Sequence, residues 1–84
     1  MFRFANSHAY PGCRVTVGDV GARGRATAEF SDGSAAPCAY VRTADGGIHV
    51  TVGAYTTQRR TAIAEKSWLL ARAADGNWKV ARRA

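Results

Sequence analysis

The chain has 84 residues, of which 46% are hydrophobic, and it carries 12 Lys and Arg residues against 6 Asp and Glu, for a net charge of +6. A single domain of this size has little room for a deep cleft with a full catalytic set, so the composition favours a binding protein over an enzyme. No apolar run approaches the roughly 18 residues of a membrane-spanning helix, and the first eight residues hold no apolar signal core. We therefore expect a cytosolic protein of one domain, residues 1–84.

The first elements in chain order are predicted strands. Residues 13–17, 23–30, 38–43 and 48–55 alternate apolar and polar side chains, a pattern typical of half-buried strands. Between and after them lie three Asp-Gly dipeptides, at residues 32–33, 45–46 and 75–76. Asp and Gly tolerate the backbone angles of tight hairpin turns. Half of the acidic residues are thus explained by turn chemistry, and only Asp19, Glu29 and Glu65 lie elsewhere.

The C-terminal part is ambiguous between helix and strand. Residues 61–73 are rich in good helix formers. However, residues 39–50 and 69–80 align without a gap and share Arg, Ala-Asp-Gly and a final Val. This internal similarity predicts a hairpin over residues 66–83, while residues 57–65 are either strand or a short helix.

The fold class predicted from these elements is mainly β. We expect a small antiparallel meander of five or six strands, curled or partly closed into a barrel, with room for one short helix near 57–70. The alternative is an α+β fold in which a helix at 61–73 packs on the meander.

The first Asp-Gly hairpin predicts one apolar and one polar face. With a two-residue turn at 45–46, the facing pairs Thr43/Ile48, Val41/Val50 and Ala39/Val52 form the core face. The opposite face then pairs Arg42 with His49 and Tyr40 with Thr51.

The second hairpin repeats this arrangement. A two-residue turn at 75–76 places Ala73 opposite Trp78 and Ala71 opposite Val80 on the core face. The other face pairs Arg72 with Lys79, and alternation adds Trp68 to the side of Arg72. Like charges in facing positions destabilise a sheet by a few tenths of a kcal/mol. Their placement favours a surface for anionic groups.

The leading functional hypothesis is therefore a non-enzymatic protein that binds nucleic acid or a nucleoprotein through a basic sheet face. Arginine next to aromatic rings is typical of platforms that bind single-stranded nucleic acid. The candidate binding residues are Arg14, Arg25, Arg42, Arg72, Lys79, Tyr40, His49 and Trp68.

The same composition also fits a protein interface. The alternative function is a small inhibitor or adaptor that docks on an acidic partner protein, as phage-type inhibitors of host defence complexes do. A homo-oligomer built through strand edges is a third alternative.

Sites for chemistry are not indicated by the sequence. Cys13 and Cys38, with His8 and His49, do not match a zinc spacing, and we expect two reduced, buried thiols, with pairing left open. Ser7-His8 lies close to the start of the sequence without a partner for catalysis. The glycines at 18, 21 and 24 precede a strand rather than the helix that a dinucleotide loop needs. No catalytic residue, metal or cofactor is predicted.

Overall fold

The chain forms nine β-strands in a computed structural model that describes residues 1–6, 10–18 and 20–84. Ser7, His8 and Asp19, considered above, lie outside the described residues. The strands are β1 (Phe2–Phe4), β2 (Arg14–Val17), β3 (Arg23–Phe30), β4 (Ala35–Arg42), β5 (Ile48–Val52), β6 (Tyr55–Thr56), β7 (Ala62–Ile63), β8 (Lys66–Arg72) and β9 (Trp78–Arg83).

Seven of these strands close into a barrel in the order β1-β2-β9-β8-β5-β4-β3, and β6 and β7 form a separate two-stranded hairpin. The mainly β fold is thus confirmed, with a closed barrel and more strands than expected. The pairs are antiparallel except β1 with β3, which run parallel. The short helix considered near 57–70 and the helix considered at 61–73 are both wrong, because these residues form the 57–61 turn, β7 and β8. In the described part of the chain, no helix is long and apolar enough to cross a membrane.

The core fills the inside of the barrel and follows the alternation of each strand. β5 shows this most clearly, since Ile48, Val50 and Val52 are buried while His49 and Thr51 are partly exposed. Burial of each large aliphatic or aromatic side chain contributes about 1.5–3 kcal/mol. The buried apolar residues are Phe2, Phe4, Cys13, Val15, Ala28, Phe30, Ala36, Cys38, Ile48, Val50, Val52, Trp68, Leu70, Trp78 and Val80.

One turn geometry recurs at four hairpins, spanning residues 30–34, 43–47, 57–61 and 73–77. In each, the N–H of the first residue donates to the carbonyl of the fifth, and the N–H of the fourth donates to the carbonyl of the first. The fourth residue has a positive φ: 89° at Gly33, 90° at Gly46, 63° at Arg60 and 85° at Gly76. These are three-residue loops ending in a left-handed residue, and not the two-residue turns assumed from the Asp-Gly dipeptides.

The longer loop corrects the predicted register of the first hairpin by one residue. Ile48 is opposite Arg42, Val50 is opposite Tyr40, and His49 is opposite Val41. Because side chains alternate, a slip of one residue moves a whole strand to the other face. Tyr40 therefore turns into the barrel while Val41 turns outward, the reverse of the expected arrangement.

The second hairpin is corrected in the same way. Trp78 is opposite Arg72 and Lys79 is opposite Ala71, so the expected Arg72–Lys79 pair does not form. Further along, Leu70 faces Val80 but Leu69 faces Arg82, which leaves Ala81 as an extra residue in β9. This bulge turns Leu69 and Arg82 to the outside as partners.

The β6–β7 hairpin lies against one end of the barrel through aromatic stacking. The ring of Tyr55 stacks on Phe30 at 4.6 Å between centroids, and Phe30 stacks on Phe4 at 5.2 Å. The Gln58 N–H also donates to the Asp32 carboxylate at 3.4 Å. The hairpin is thereby joined to the core by a column of three rings.

Candidate interaction surface

A continuous row of outward side chains crosses five adjacent strands of the barrel. Arg23 of β3 is opposite Val41 of β4, Val41 is opposite His49 of β5, His49 is opposite Leu69 of β8, and Leu69 is opposite Arg82 of β9. Val41 is 44% exposed, His49 and Leu69 are partly exposed, and both arginines are exposed. This set, called the outer row below, has apolar side chains and an imidazole in the middle and a guanidinium at each end.

A second row lies beside it and contains mostly small side chains. Arg25 is opposite Ala39, Ala39 is opposite Thr51, and Thr51 is opposite Ser67. The Thr51 and Ser67 hydroxyls form a hydrogen bond of 2.9 Å, which holds both against the sheet. The two rows together are the docking face. Neither row contains a carboxylate, although Glu65 and Arg25 line a shallow groove at its border.

Two predicted residues, Arg25 and His49, belong to the docking face. They lie in different rows and on different strands, β3 and β5. Arg25 is exposed and His49 is partly exposed, so both are accessible from solvent. Their predicted contribution to binding stays a prediction.

Arg14 and Lys79 form a different cationic pair on the wall made by β2 and β9. They are directly opposite each other in the register, and their neighbours Val15 and Trp78 are buried inside. Two cations in facing positions therefore point outward together. The predicted Arg72–Lys79 pair is wrong, and the residue opposite Lys79 on the neighbouring strand β2 is Arg14.

Arg42 is used within the molecule. Its Nε donates to the Gly21 carbonyl at 3.0 Å and its Nη2 donates to the Val20 carbonyl at 3.3 Å. The β4 end and the loop before β3 are thereby tied together. Because these donors are engaged, Arg42 is a poorer anion ligand than its sequence context indicated.

Arg72 lies over an aromatic ring rather than beside Lys79. Its guanidinium carbon is 5.1 Å from the centroid of the Trp78 ring. Such cation–π contacts stabilise the side chain by about 0.5–1 kcal/mol at exposed sites. Within the described structure, the N–H groups of Arg72 form no hydrogen bond or ion pair.

The two aromatic residues proposed for stacking are both turned into the barrel. The ring of Tyr40 makes an edge-to-face contact with Phe2 at 5.4 Å, and its hydroxyl accepts a hydrogen bond from the Gly21 N–H at 3.1 Å. Trp68 is buried at 6% exposure. An outward aromatic platform made of these two residues is therefore wrong, because the one-residue change in register reverses β4 and β8.

The outer row contains residues that the sequence reasoning missed. Val41 was assigned to the core, and Arg23, Leu69 and Arg82 were not singled out. The Asp-Gly pairs at 45–46 and 75–76 do not fix the loop length by themselves. The hydrogen bonds that the Gly47 and Asn77 N–H groups donate to the aspartates two residues earlier are visible only in the structure.

The turn aspartates have lowered pKa values for local reasons. Hydrogen bonds from the Ser34 hydroxyl and N–H lower the pKa of Asp32 below 3.8, and those from the Thr43 hydroxyl and the Gly47 N–H do so for Asp45. The pKa of Asp75 is lowered by hydrogen bonds from the Asn77 N–H and side chain, with smaller contributions from Lys79 and Arg14. These carboxylates are engaged by their own turns.

Ion pairing leaves most of the cations free. Among the described residues, Arg3 and Glu29 form the one salt bridge, at 3.3 Å.

Cys13 and Cys38 are free and buried thiols, and burial raises the pKa of Cys38. Within residues 1–6, 10–18 and 20–84, no three His, Cys, Asp or Glu side chains gather as a metal site would require.

Comparison with known proteins does not assign this surface. No model of a protein family matches the chain, and no curated protein and no solved structure matches it either.

Proposed function

We propose that the protein is a non-enzymatic binding module that docks through the docking face on a partner protein. The partner surface would have an apolar centre bordered by acidic side chains. The observation that supports this proposal is the outer row, in which Val41, His49 and Leu69 lie between Arg23 and Arg82. Protein interfaces combine an apolar centre with arginine in this way, and arginine is enriched in them.

The dimensions of the docking face suit a contact with a folded partner. The five strands belong to a closed barrel of seven, so the outer row curves around the barrel and its two arginines lie on different sides. The part that one partner can cover is centred on β4, β5 and β8, which extend over roughly 10 Å at about 4.8 Å between neighbouring strands. Ala39, Thr51 and Ser67 on these strands have small side chains that leave this part accessible. An acidic border on the partner would meet unpaired guanidinium groups, since Arg23, Arg25 and Arg82 form no ion pair within the described structure.

The experiment that tests this function is capture of the partner, from extract with and without nuclease treatment, by the tagged protein and by two variants. Val41→Glu places a carboxylate at the centre of the outer row. Ala62→Glu makes the same addition of charge at an exposed position of β7, outside the docking face. We expect the amount of captured partner to fall at least tenfold for Val41→Glu and to stay unchanged for Ala62→Glu.

Two results would contradict docking through this face. In one, Val41→Glu retains the partner as well as the unchanged protein does. In the other, nuclease treatment removes everything that the protein captures, which would assign the interaction to nucleic acid.

A second candidate function, nucleic-acid binding, is favoured by the Arg14–Lys79 pair. The two cations face each other across β2 and β9 and point outward. Adjacent phosphates of a nucleic acid are natural ligands for such a pair. This candidate no longer includes stacking on Tyr40 or Trp68, whose rings lie inside the barrel.

Salt dependence tests the nucleic-acid candidate. Release of counterions makes the affinity for a labelled oligonucleotide fall steeply as salt is raised, and removal of Arg14 and Lys79 together reduces the slope by about two. Arg59→Gln with Lys66→Gln removes two charges elsewhere and serves as the control. A flat salt dependence rejects this candidate. For either candidate, action in the cytosol as an inhibitor or adaptor remains a proposal.

A further inference from the structure

A groove lies beside the docking face, between the 43–47 turn and the outer surface of β8 and β9. It encloses about 280 Å³ and is lined by Leu69 and Ala71 on the strands, by Gly47 on the turn, and by two arginines, Arg72 and Arg82. Leu69 and Arg82 also belong to the outer row, so the groove is continuous with that row. It therefore combines an apolar floor with two cations.

The Arg72 guanidinium lies at this groove with its donors unused. Its central carbon is 5.1 Å from the centroid of the Trp78 ring, and within the described structure it forms no hydrogen bond or ion pair. The planar fork of N–H donors on an arginine matches the two oxygens of a carboxylate. The contact with Trp78 favours a position of the side chain beside the groove before an anion binds.

One carboxylate already lines the groove, and it is engaged elsewhere. Asp45 accepts hydrogen bonds from the Thr43 hydroxyl and from the Gly47 N–H at 3.2 Å. Neither arginine approaches it within 4.0 Å, since Arg3–Glu29 is the one ion pair of the described residues. Arg82 lies near enough to contribute to the lowered pKa of Asp45, but both arginines keep their donors.

We propose that this groove binds an aspartate or glutamate side chain from a short apolar and acidic segment of the partner protein, held between Arg72 and Arg82. This inference rests on the proposed docking function and names the chemistry that the partner supplies. A protein segment is favoured over nucleic acid because Leu69 and Ala71 line the groove and because none of the described residues that line it is aromatic. A base would find no open ring to stack on there.

The test uses a five-residue peptide that alternates leucine and glutamate, with a leucine and glutamine peptide as the matched control. Each is titrated into the isotope-labelled protein while the Nε–H resonances of the arginines are followed by NMR. We expect the glutamate peptide to shift the resonances of Arg72 and Arg82 and the glutamine peptide to leave them in place. Arg72→Gln should weaken binding of the glutamate peptide at least fivefold, and Arg72→Lys should weaken it less.

Arg59→Gln is the control for net charge. Arg59 lies in the 57–61 turn at the opposite end of the barrel, so its removal should leave peptide affinity unchanged. Equal binding of both peptides, or an equal loss for Arg59→Gln and Arg72→Gln, overturns the proposal. Displacement of the peptide from Arg72 by an equimolar thymidine oligonucleotide also overturns it, in favour of nucleic acid.

The same variants separate this inference from the proposed function. Val41 does not line the groove, so Val41→Glu should retain peptide binding while it abolishes capture of the partner. If Val41→Glu retains the partner and Arg72→Gln still loses the peptide, the docking face is wrong and the carboxylate site stands. If the peptide fails to bind while Val41→Glu loses the partner, the docking face stands and the carboxylate site is wrong.

Discussion

At the level of single residues, the fourth position of the recurring turn is constrained by its left-handed backbone conformation. Gly76 has a φ of 85°, and a Cβ built on it meets nothing within 4 Å. The cost of a side chain there is therefore one of backbone conformation alone. Arg60 shows that a residue other than glycine is tolerated in this position, at a φ of 63°.

Gly76→Ala should lower the free energy of unfolding by about 1 kcal/mol, because the left-handed conformation is unfavourable for alanine. Gly21→Ala is the control, since Gly21 also has open space around its Cα but no positive φ. Urea unfolding monitored by circular dichroism measures both. A neutral effect at residue 76, or an equal loss at residue 21, would contradict this account of the turn.

The turn carboxylates of Asp32, Asp45 and Asp75 make stability depend on pH. Their pKa values in the folded protein lie below the ordinary value of 3.8. A carboxylate whose pKa is lower in the folded protein than in the unfolded chain stabilises the fold fully at pH values above its unfolded pKa. This stabilisation is lost as the pH falls through the folded pKa. The melting temperature should therefore fall between about pH 5 and about pH 2.

A variant with asparagine at residues 32, 45 and 75 checks the origin of this acid loss. Asparagine keeps a side-chain oxygen for each turn but does not titrate, so the melting temperature should fall less steeply on acidification. Glu65→Gln removes one carboxylate outside the turns and should leave most of the loss in place. An unchanged slope in the asparagine variant would assign acid sensitivity to other groups.

Among the elements, the β6–β7 hairpin is joined to the barrel by an aromatic contact and by the Gln58–Asp32 hydrogen bond, and we expect the aromatic contact to contribute more. Tyr55 stacks on Phe30 with their planes 10° apart. Tyr55→Ala should increase the rate of amide hydrogen exchange across residues 55–63 while β4, β5 and β8 keep their protection. Tyr55→Phe keeps the ring and should keep the protection. Equal exchange in the alanine variant would mean that the stack does not hold this hairpin.

The strands also show how far the sequence predicts the structure. Alternation identified β2 to β5, and internal similarity identified β8 and β9, because both depend on local pattern. The faces of β4 and β8 were assigned wrongly, because one extra loop residue reverses a strand and the dipeptide alone does not count loop residues. The parallel β1–β3 pair joins residues 26 positions apart, as in Phe2 with Ala28, and no local pattern indicates such a pairing.

At the level of the whole molecule, the cations do not gather on one side as the sequence suggested. Arg14 and Lys79 lie on the β2–β9 wall, Arg42 binds carbonyls at a barrel end, and Arg25 lies on β3. The anionic partner that the net charge predicts stays a prediction, and net charge alone does not indicate where such a partner would bind. Net charge depends on composition alone, whereas the placement of several cations on one surface depends on the strand register. The register predicted from the sequence was shifted by one residue.

The protein should be monomeric in solution at moderate salt, because its charge distribution opposes self-docking. In a symmetric dimer through the outer row, Arg23 and Arg82 would face cations of the second copy, since this row contains no carboxylate. The seven barrel strands also leave no free edge among themselves. Sedimentation analysis should give one species of 8.9 kDa. Higher salt screens the repulsion, so any self-association should appear there first, and Val41→Arg, which adds a further cation to the outer row, should abolish it. A dimer at low salt that Val41→Arg leaves intact would require another interface and would remove the electrostatic argument for a different, acidic partner.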